Sequence, residues 1–574
     1  MNIFEEYTNK ISNLIVKNSK FLELSNLNKL NGITIETPPS KFNFDLSCNA
    51  SLILGKENKI NPIDLAKKIE VLVYKELKDF EEVEIAGPGF LNLRFSNKTI
   101  KKIIALIYSN KEIYGKKKSN INYNIEFVSA NPTGPMHVGH CRGAIYGDVI
   151  ANLLKFNGNQ VTREFYVNDY GNQITNFTKS VFLRIRELKY NEKFILKKDL
   201  YPGEYIKEIS KKIINSFKNE NFDNFENSFQ LLKKESLNFS MNLIKFDLKK
   251  LGIVHDNFIS ETQLVKNNSV DKAVRILKKN NYISEGFLNP PKGEIVENWK
   301  KTKRLIFKST IFGDDTDRAI QKNDGSWTYF ANDIAYHMDK VDRKYNQLIN
   351  VLGADHTGYI KRITAAVNAL SEGKVKLNCK VCQLVKLFKK GKPYKMSKRA
   401  GDFISAQDLL NEVDKDFIRF MMLNRSNDVE LDFDFDKVKE KSKENPVFYV
   451  QYCYARICSL FRSSNKKIND YVDLENLDFS FNQIELEILR KIFEWPKIIE
   501  ISSAKFEPHR ITYFLYELAT LFHSYWSKGN IDKNYKFIEN DKIKRIEILV
   551  IIILISIVIK RGMNILGVSL PEKM

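Results

Sequence analysis

Two short stretches of the chain concentrate groups suited to holding a polyphosphate. The first, Asn131-Pro132-Thr133-Gly134-Pro135-Met136-His137-Val138-Gly139-His140, sets two imidazoles around one glycine. Each imidazole can donate a hydrogen bond to a phosphate oxygen, and the glycine lets a flat adenine ring approach the backbone. Taken alone, H-x-G-H recurs by chance and supports only a phosphate-binding turn. The second stretch is Lys395-Met396-Ser397-Lys398-Arg399, followed by Gly401. Three cations on one loop suit the negative charge that grows on a departing pyrophosphate, although an isolated basic loop is more often merely solvated. As a pair, separated by 395 − 140 = 255 residues, they make a sharper signal than either does singly.

The flanking sequence supplies elements to position them. INYNIEFV, at 121–128, is β-rich; GAIYGDVIANLLKF, at 143–156, places Ile145, Val149, Leu153 and Phe156 at helical spacing, with Asn157-Gly158 as a stop. QVTREFYV, at 160–167, reads as a second strand. Strand, glycine-containing loop, helix and strand make a βαβ unit, the start of a doubly wound parallel sheet, and its helix N-terminus receives anions. A Lys-rich, mostly helical stretch at about 175–300 reads as an insertion. The sheet resumes with a helix in WTYFANDIAYHMDK, a strand and loop in QLINVLGADHTGYI, and a strand, hairpin and basic loop from Val381 to Ser405. EVEIAGPGFLNLRF, at 82–95, predicts a strand entered through a Gly-Pro-Gly turn. Beyond about 440 the period is helical. The expected fold is α/β multidomain: an N-terminal α+β domain (1–115), a doubly wound, Rossmann-like domain (116–418, with the insertion) and a C-terminal all-α helical bundle (419–574).

Composition bounds the function. The 574 residues carry a formal charge of +21, which attracts polyanions, nucleic acid first among them; an A/T-rich coding sequence gives the same lysine excess. Glu5 and Glu6 occupy the place where a signal peptide needs a basic and then apolar run. The apolar run at 548–559 is shorter than the roughly 20 residues of a membrane span, so a buried helix, a cytoplasmic location and no membrane contact are expected. Of six cysteines, only Cys379 and Cys382 have metal-knuckle spacing, with no second pair or histidine cluster nearby. Reduced thiols and no bound structural metal are expected.

The two motifs match the HIGH and KMSKS signatures of class I aminoacyl-tRNA synthetases. Longer stretches, EFVSANPTGPMHVGH, YVNDYGNQI, LGADHTGYI, MSKRAGDF and ENPVFYVQYCYARI, resemble the bacterial-type arginyl-tRNA synthetases over nearly the whole chain. The resemblance implies activation of L-arginine by ATP with Mg²⁺, then transfer to tRNA(Arg), with the first step requiring bound tRNA. It implies ATP contacts from His137, Gly139, His140, Gly353, Asp355, His356, Lys395, Met396, Ser397 and Lys398, of which the two histidines and two lysines act catalytically. A guanidinium needs a carboxylate on a rigid element. Asp333 and Tyr329, four residues apart on one helix, would hold the arginine side chain, and Glu126, Ser129 and Asn131 its α-amino and neighbouring polar groups. Asn168 and Asp169 would line the site. Phe90 and Asn92 would contact the outer corner of the tRNA, and Tyr449, Tyr452, Tyr454 and Arg456 the anticodon arm; the aromatic stripe could equally be core. A monomer is expected. The rivals are a class I synthetase for another amino acid and an inactive tRNA-binding paralogue, which predicts erosion of the signature histidines or lysines; all four are present.

Overall fold

The computed structural model describes residues 2–39, 41–287, 303–394, 404–465 and 480–574. Residues 119–439 form one compact unit, and residues 1–118 together with 440–574 form another.

The first unit is built on five strands, β1 (Asn122–Glu126), β2 (Gln160–Val167), β3 (Asn257–Ser260), β4 (Gln347–Gly353) and β5 (Lys376–Cys382), in the order β5-β4-β1-β2-β3 and parallel throughout. Three consecutive residues of β1, Tyr123, Asn124 and Ile125, are buried, the pattern of a strand covered on both faces. Helix α1 (Val138–Phe156) is buried almost all round, which marks a helix enclosed by the domain. It is pinned by Arg142, whose guanidinium donates to the carbonyls of Gln383, Ser426 and Val429, and by Asp148, which accepts from Arg163 and Arg419. Helices α2 (Tyr329–Asp342) and α3 (Ile360–Ser371) complete the set used below. The chain runs outward from β1 to β2 and β3, then returns to place β4 on the other side of β1, so the switch point where such sheets bind ligands falls between β1 and β4.

Among the described residues of the stretch 175–300 there are five helices, and the first three, Asn172–Tyr190, Glu204–Ser216 and Phe225–Lys250, pack around Phe177, Val181, Ile206, Ile209 and Leu232. It also contains β3, a strand of the main sheet that sequence reading merged into the helical insertion. With four residues, β3 is too short to show alternation. The boundary read at 418/419 falls inside the helix Lys415–Met422, because that helix returns to α1 through Arg419.

In the second unit an antiparallel four-stranded sheet, Ile35–Glu36, Leu46–Cys48, Phe90–Phe95 and Phe80–Ala86, adjoins the helices that begin with Pro446–Ser463. The first and last stretches of the chain, read from sequence as two domains, pack against each other. The Asp45 carboxylate accepts from Arg490 Nε (2.7 Å) and from the Phe95 N–H (2.7 Å). Two more hydrogen bonds cross the same seam: the Tyr114 hydroxyl donates to the Ile492 carbonyl and the Trp495 indole to the Tyr114 carbonyl. Residues 548–559 are fully enclosed within the helix Ile546–Leu566. Among the described residues no helix is long and apolar enough to cross a membrane.

Candidate active site

The histidine loop is held from several sides before any ligand arrives. His137 caps α1, and its ring stacks on His140 with centroids 3.6 Å apart. The His137 N–H donates to His140 Nδ1 (3.3 Å), leaving Nε2–H as the proton-bearing atom of His140. Burial lowers both imidazoles, and the His137 charge assists in driving His140 down to about 3. The pair therefore presents neutral hydrogen-bond donors rather than cations. Gly139 has a more local reason than the approach of an adenine: a Cβ there would lie 2.9 Å from the His137 ring, so any side chain would displace the imidazole. The Tyr205 hydroxyl donates to the Thr133 carbonyl (2.9 Å), and the Asp247 carboxylate, pushed up to about 6 by burial, accepts the Met136 N–H. Both groups come from the inserted helices, which thereby support the loop.

Lys395, Met396, Ser397 and Lys398 lie outside the described residues. The chain just after them is fixed: the Val138 N–H donates to the Ile404 carbonyl (3.0 Å) and the Ala406 N–H to the Met136 carbonyl (2.8 Å). An antiparallel bridge pairs His137 with Ser405, and Ser405 is locked by a capping box with Asp408. Residues 404–406 are thus stitched to the histidine loop.

Beside this loop is a cluster of acids. Asn350 on β4, Glu126 on β1 and Glu164 on β2 are register partners across adjacent strands, so the pleat sends their side chains to the same face. Above them α2 directs Asp333, Tyr336, His337 and Lys340, spaced i, i+3, i+4 and i+7, with Arg343 one turn further on. Glu164 is closed off: Arg343 grips it through both terminal nitrogens and the Tyr336 hydroxyl donates to it (2.8 Å). Burial alone would raise it, but Arg343, Lys340 and Tyr336 hold it down at about 2. Glu126 accepts from the Ser129 hydroxyl (3.1 Å) and Lys340 Nζ (2.6 Å). Asp333 accepts from the Tyr359 hydroxyl; burial pushes it up to about 7, against Tyr359 and Lys340 and reinforced by Glu126 and Glu261. Ionising Asp333 there is disfavoured by roughly 4 kcal/mol relative to water. Glu261, buried at the end of β3, accepts from Asn332 (2.9 Å) and is likewise raised, first by burial.

Asp333 thus feels both Glu126 and Glu261, with Lys340 as a buried counter-ion. Such a site is short of positive charge and stabilises an incoming cation. A strained turn helps to build it: Val128 and Ser129 have φ of +70° and +40°, a left-handed conformation disfavoured by about 1–3 kcal/mol per residue. That turn puts the Ser129 hydroxyl between Glu126 and the Tyr166 N–H (3.1 Å).

The other residues singled out from sequence fall as follows. Asn131 donates to Gln173 (3.0 Å) and accepts from Asn168 (3.3 Å), so the three make a polar edge. Asp169 serves an internal purpose: it accepts from the Ser260 hydroxyl and the Thr262 N–H and so fixes the turn that carries Glu261. Tyr329 does not share Asp333's burial; as the first residue of α2 it is 73% exposed. It lines a cleft of about 680 Å³ with Tyr170, Lys233, Lys322, Trp327 and Asn332. Gly353, the last residue of β4, and Asp355 and His356 just after it are exposed, and a Cβ on Gly353 would meet the Asp355 carboxylate at 2.7 Å. Sequence reading missed Glu261, Lys340, Asn350 and Tyr359. Only Glu261 left a signal, an acid at the junction of a short apolar strand and a helix.

In the other unit the pair Phe90 and Asn92 is split. Phe90 is 37% exposed, which removes the core reading for it, whereas Asn92 is 3% exposed and is not presented to a base. Tyr454 is core, but Tyr449, Tyr452 and Arg456 cluster around His523 and Trp526. The Arg456 guanidinium lies 4.4 Å from the Tyr452 ring and 4.9 Å from that of Trp526.

Residues 6–95 match the family model of the arginyl tRNA synthetase N terminal domain, residues 102–472 that of the class I tRNA synthetase (R) catalytic domain, and residues 450–574 that of the DALR anticodon binding domain. Over the full length of both chains, the sequence is 54% identical to the arginine–tRNA ligase of Pelagibacter ubique (strain HTCC1062) and 42% identical to that of Wolbachia pipientis wMel. A solved structure of a putative arginyl-tRNA synthetase from Campylobacter jejuni superposes with a TM-score of 0.72 at 30% identity, covering 84% of this chain and all of that one. The Thermus thermophilus arginyl-tRNA synthetase, at 18% identity and a TM-score of 0.69, covers 94% of this chain and 96% of its own and shares the fold.

Proposed function

Because the chain belongs to the arginyl-tRNA synthetase family, we propose that the acid cluster under α2 holds L-arginine and the histidine loop holds ATP. The reaction is the ATP-dependent attachment of L-arginine to tRNA(Arg) through arginyl-adenylate. Asp333, with Glu261 beside it, takes the guanidinium; Glu126, supported by Ser129, takes the α-ammonium; Asn131 closes the polar edge. ATP enters as its magnesium complex, with His137 and His140 donating to its phosphates and Gly353, Asp355 and His356 bordering the nucleoside. The arginine carboxylate attacks the α-phosphate in line and pyrophosphate departs toward Lys395 and Lys398, on the loop that also contains Met396 and Ser397. No side-chain nucleophile is required, because position and fixed charge supply the rate. The ribose hydroxyl at the tRNA 3′ end then attacks the acyl carbonyl. Phe90 offers a stacking face to an unstacked tRNA base, and Tyr449, Tyr452 and Arg456 a platform for the anticodon. The enzyme acts in the cytoplasm as a monomer, and bound tRNA is needed for the first step.

The observation that carries this reading is the convergence of Glu126, Glu261 and Asp333 next to a loop bearing two neutral imidazoles. A dication with an attacking carboxylate fits beside ATP there; a neutral amino acid does not. Asp333→Ala is expected to raise the arginine KM about 100-fold or more, since a charge-assisted contact is worth up to about 3 kcal/mol, and to leave tRNA binding intact. An unchanged arginine KM would remove the pocket assignment.

A further inference from the structure

Lys340 has no solvent exposure and makes none of the substrate contacts proposed above. Its ammonium donates to Glu126 Oε2 (2.6 Å) and Asn350 Oδ1 (3.1 Å) and lies 4.4 Å from the Tyr336 ring centroid. The chain of contacts continues: Asn350 Nδ2 donates to His337 Nε2 (2.9 Å), and His337 Nδ1–H donates to the backbone carbonyl of Asp333 (2.8 Å). These roles require a neutral His337 carrying its proton on Nδ1, in keeping with the burial that drives this ring down to about 3. Asn350 spends its amide nitrogen on His337 and its oxygen on Lys340, so every partner is used once and no donor faces a donor. Other charged or titratable groups around the lysine are Glu164, Asp333, Tyr336 and Cys379. One hydrogen-bonded strip thus joins Glu126 to the turn of α2 that bears Asp333.

A buried ion pair is a poor device for stability, since apolar residues of similar size often serve as well or better. It is a good device for fixing where a carboxylate points. We propose that Lys340 is a positioning residue for amino-acid recognition: by holding Oε2 of Glu126, it turns Oε1, steadied by Ser129, toward the α-ammonium of arginine. This rests on Glu126 being the α-ammonium acceptor.

The test is full-length Lys340→Met, assayed by aminoacylation at saturating ATP and tRNA. The arginine KM is expected to rise about tenfold or more, the scale of one buried charge-assisted bond, while the KM for ATP and tRNA stays within about twofold. Inhibition by the arginine analogue that lacks the α-amino group is expected to be unchanged, which a general loosening of the fold would not spare. An unchanged arginine KM in the folded variant, or equal loss of the analogue, overturns the proposal. Should Lys340→Met not fold, Asn350→Ser keeps the lysine but removes its second anchor; a several-fold rise in arginine KM supports the proposal and an unchanged value overturns it. Glu126→Gln separates the two layers. If it leaves the arginine KM unchanged, the Glu126 assignment fails; if it raises it and Lys340→Met does not, the inference about the lysine fails by itself.

Discussion

Lowering the pH from about 8 to about 6 should weaken arginine binding about tenfold through Asp333, and Glu261, also raised by burial, acts in the same direction. Its carboxyl is raised from 3.8 to about 7 in the empty pocket, first because burial disfavours the anion and then because Glu126 and Glu261 stand nearby. The empty enzyme therefore keeps a proton on Asp333 that the unfolded chain would have lost. A guanidinium can be held only by the ionised form, so binding expels that proton. With a value near 7, Asp333 is roughly nine-tenths ionised at pH 8 and one-tenth at pH 6, a difference of about 1.4 kcal/mol in apparent affinity. Binding is then insensitive to pH well above 7 and weakens as pH falls through it. His140 and His337 titrate near 3, below this window, and Asp247, near 6, acts on the histidine loop and is read through the KM for ATP. The assay is the arginine KM at saturating ATP and tRNA across this range, with calorimetry in two buffers of different ionisation heat; about half a proton should be released per arginine bound at pH 7. Asp333→Asn should remove most of the slope. A flat profile in the native enzyme, or the same slope in Asp333→Asn, would refute the reasoning.

Asp247→Ala leaves the Met136 N–H without its acceptor and should raise the ATP KM by about 1–3 kcal/mol equivalent, with the arginine KM unchanged, in the same kinetic assay. Arg490→Met strands Asp45 in the seam between the first and last stretches of the chain; urea denaturation should show a loss of about 3–5 kcal/mol, while kcat measured well below the transition stays near the native value. Phe90→Ala removes an exposed ring, so thermal stability should not move, but the tRNA KM should rise by about 1–3 kcal/mol equivalent if a base stacks there; an unchanged KM would return Phe90 to a purely local role.

What could be read from the sequence was local. The βαβ unit was legible because α1 carries its own period and stop, and the histidine loop because its residue types are unusual at that position. The basic loop could be paired with it only by analogy; the Met136–Ala406 and Val138–Ile404 hydrogen bonds make the neighbourhood physical. Lys340 and Glu126 lie 214 residues apart, and the row Asn350, Glu126, Glu164 exists only through strand register, which no pattern within one segment encodes. Asn92 was singled out by resemblance alone, and its burial comes from strand pairing and packing that no pattern within its own segment encodes. Tyr329 shares a helix with Asp333 but not its environment, since the first residue of a helix can stay in solvent while the next turn is buried.

The arginine pocket is tested most directly by ATP–pyrophosphate exchange with each proteinogenic amino acid, with and without tRNA(Arg). Exchange with arginine alone, and only when tRNA is present, is the expected result. Exchange driven by another amino acid, or none with arginine under either condition, would contradict it.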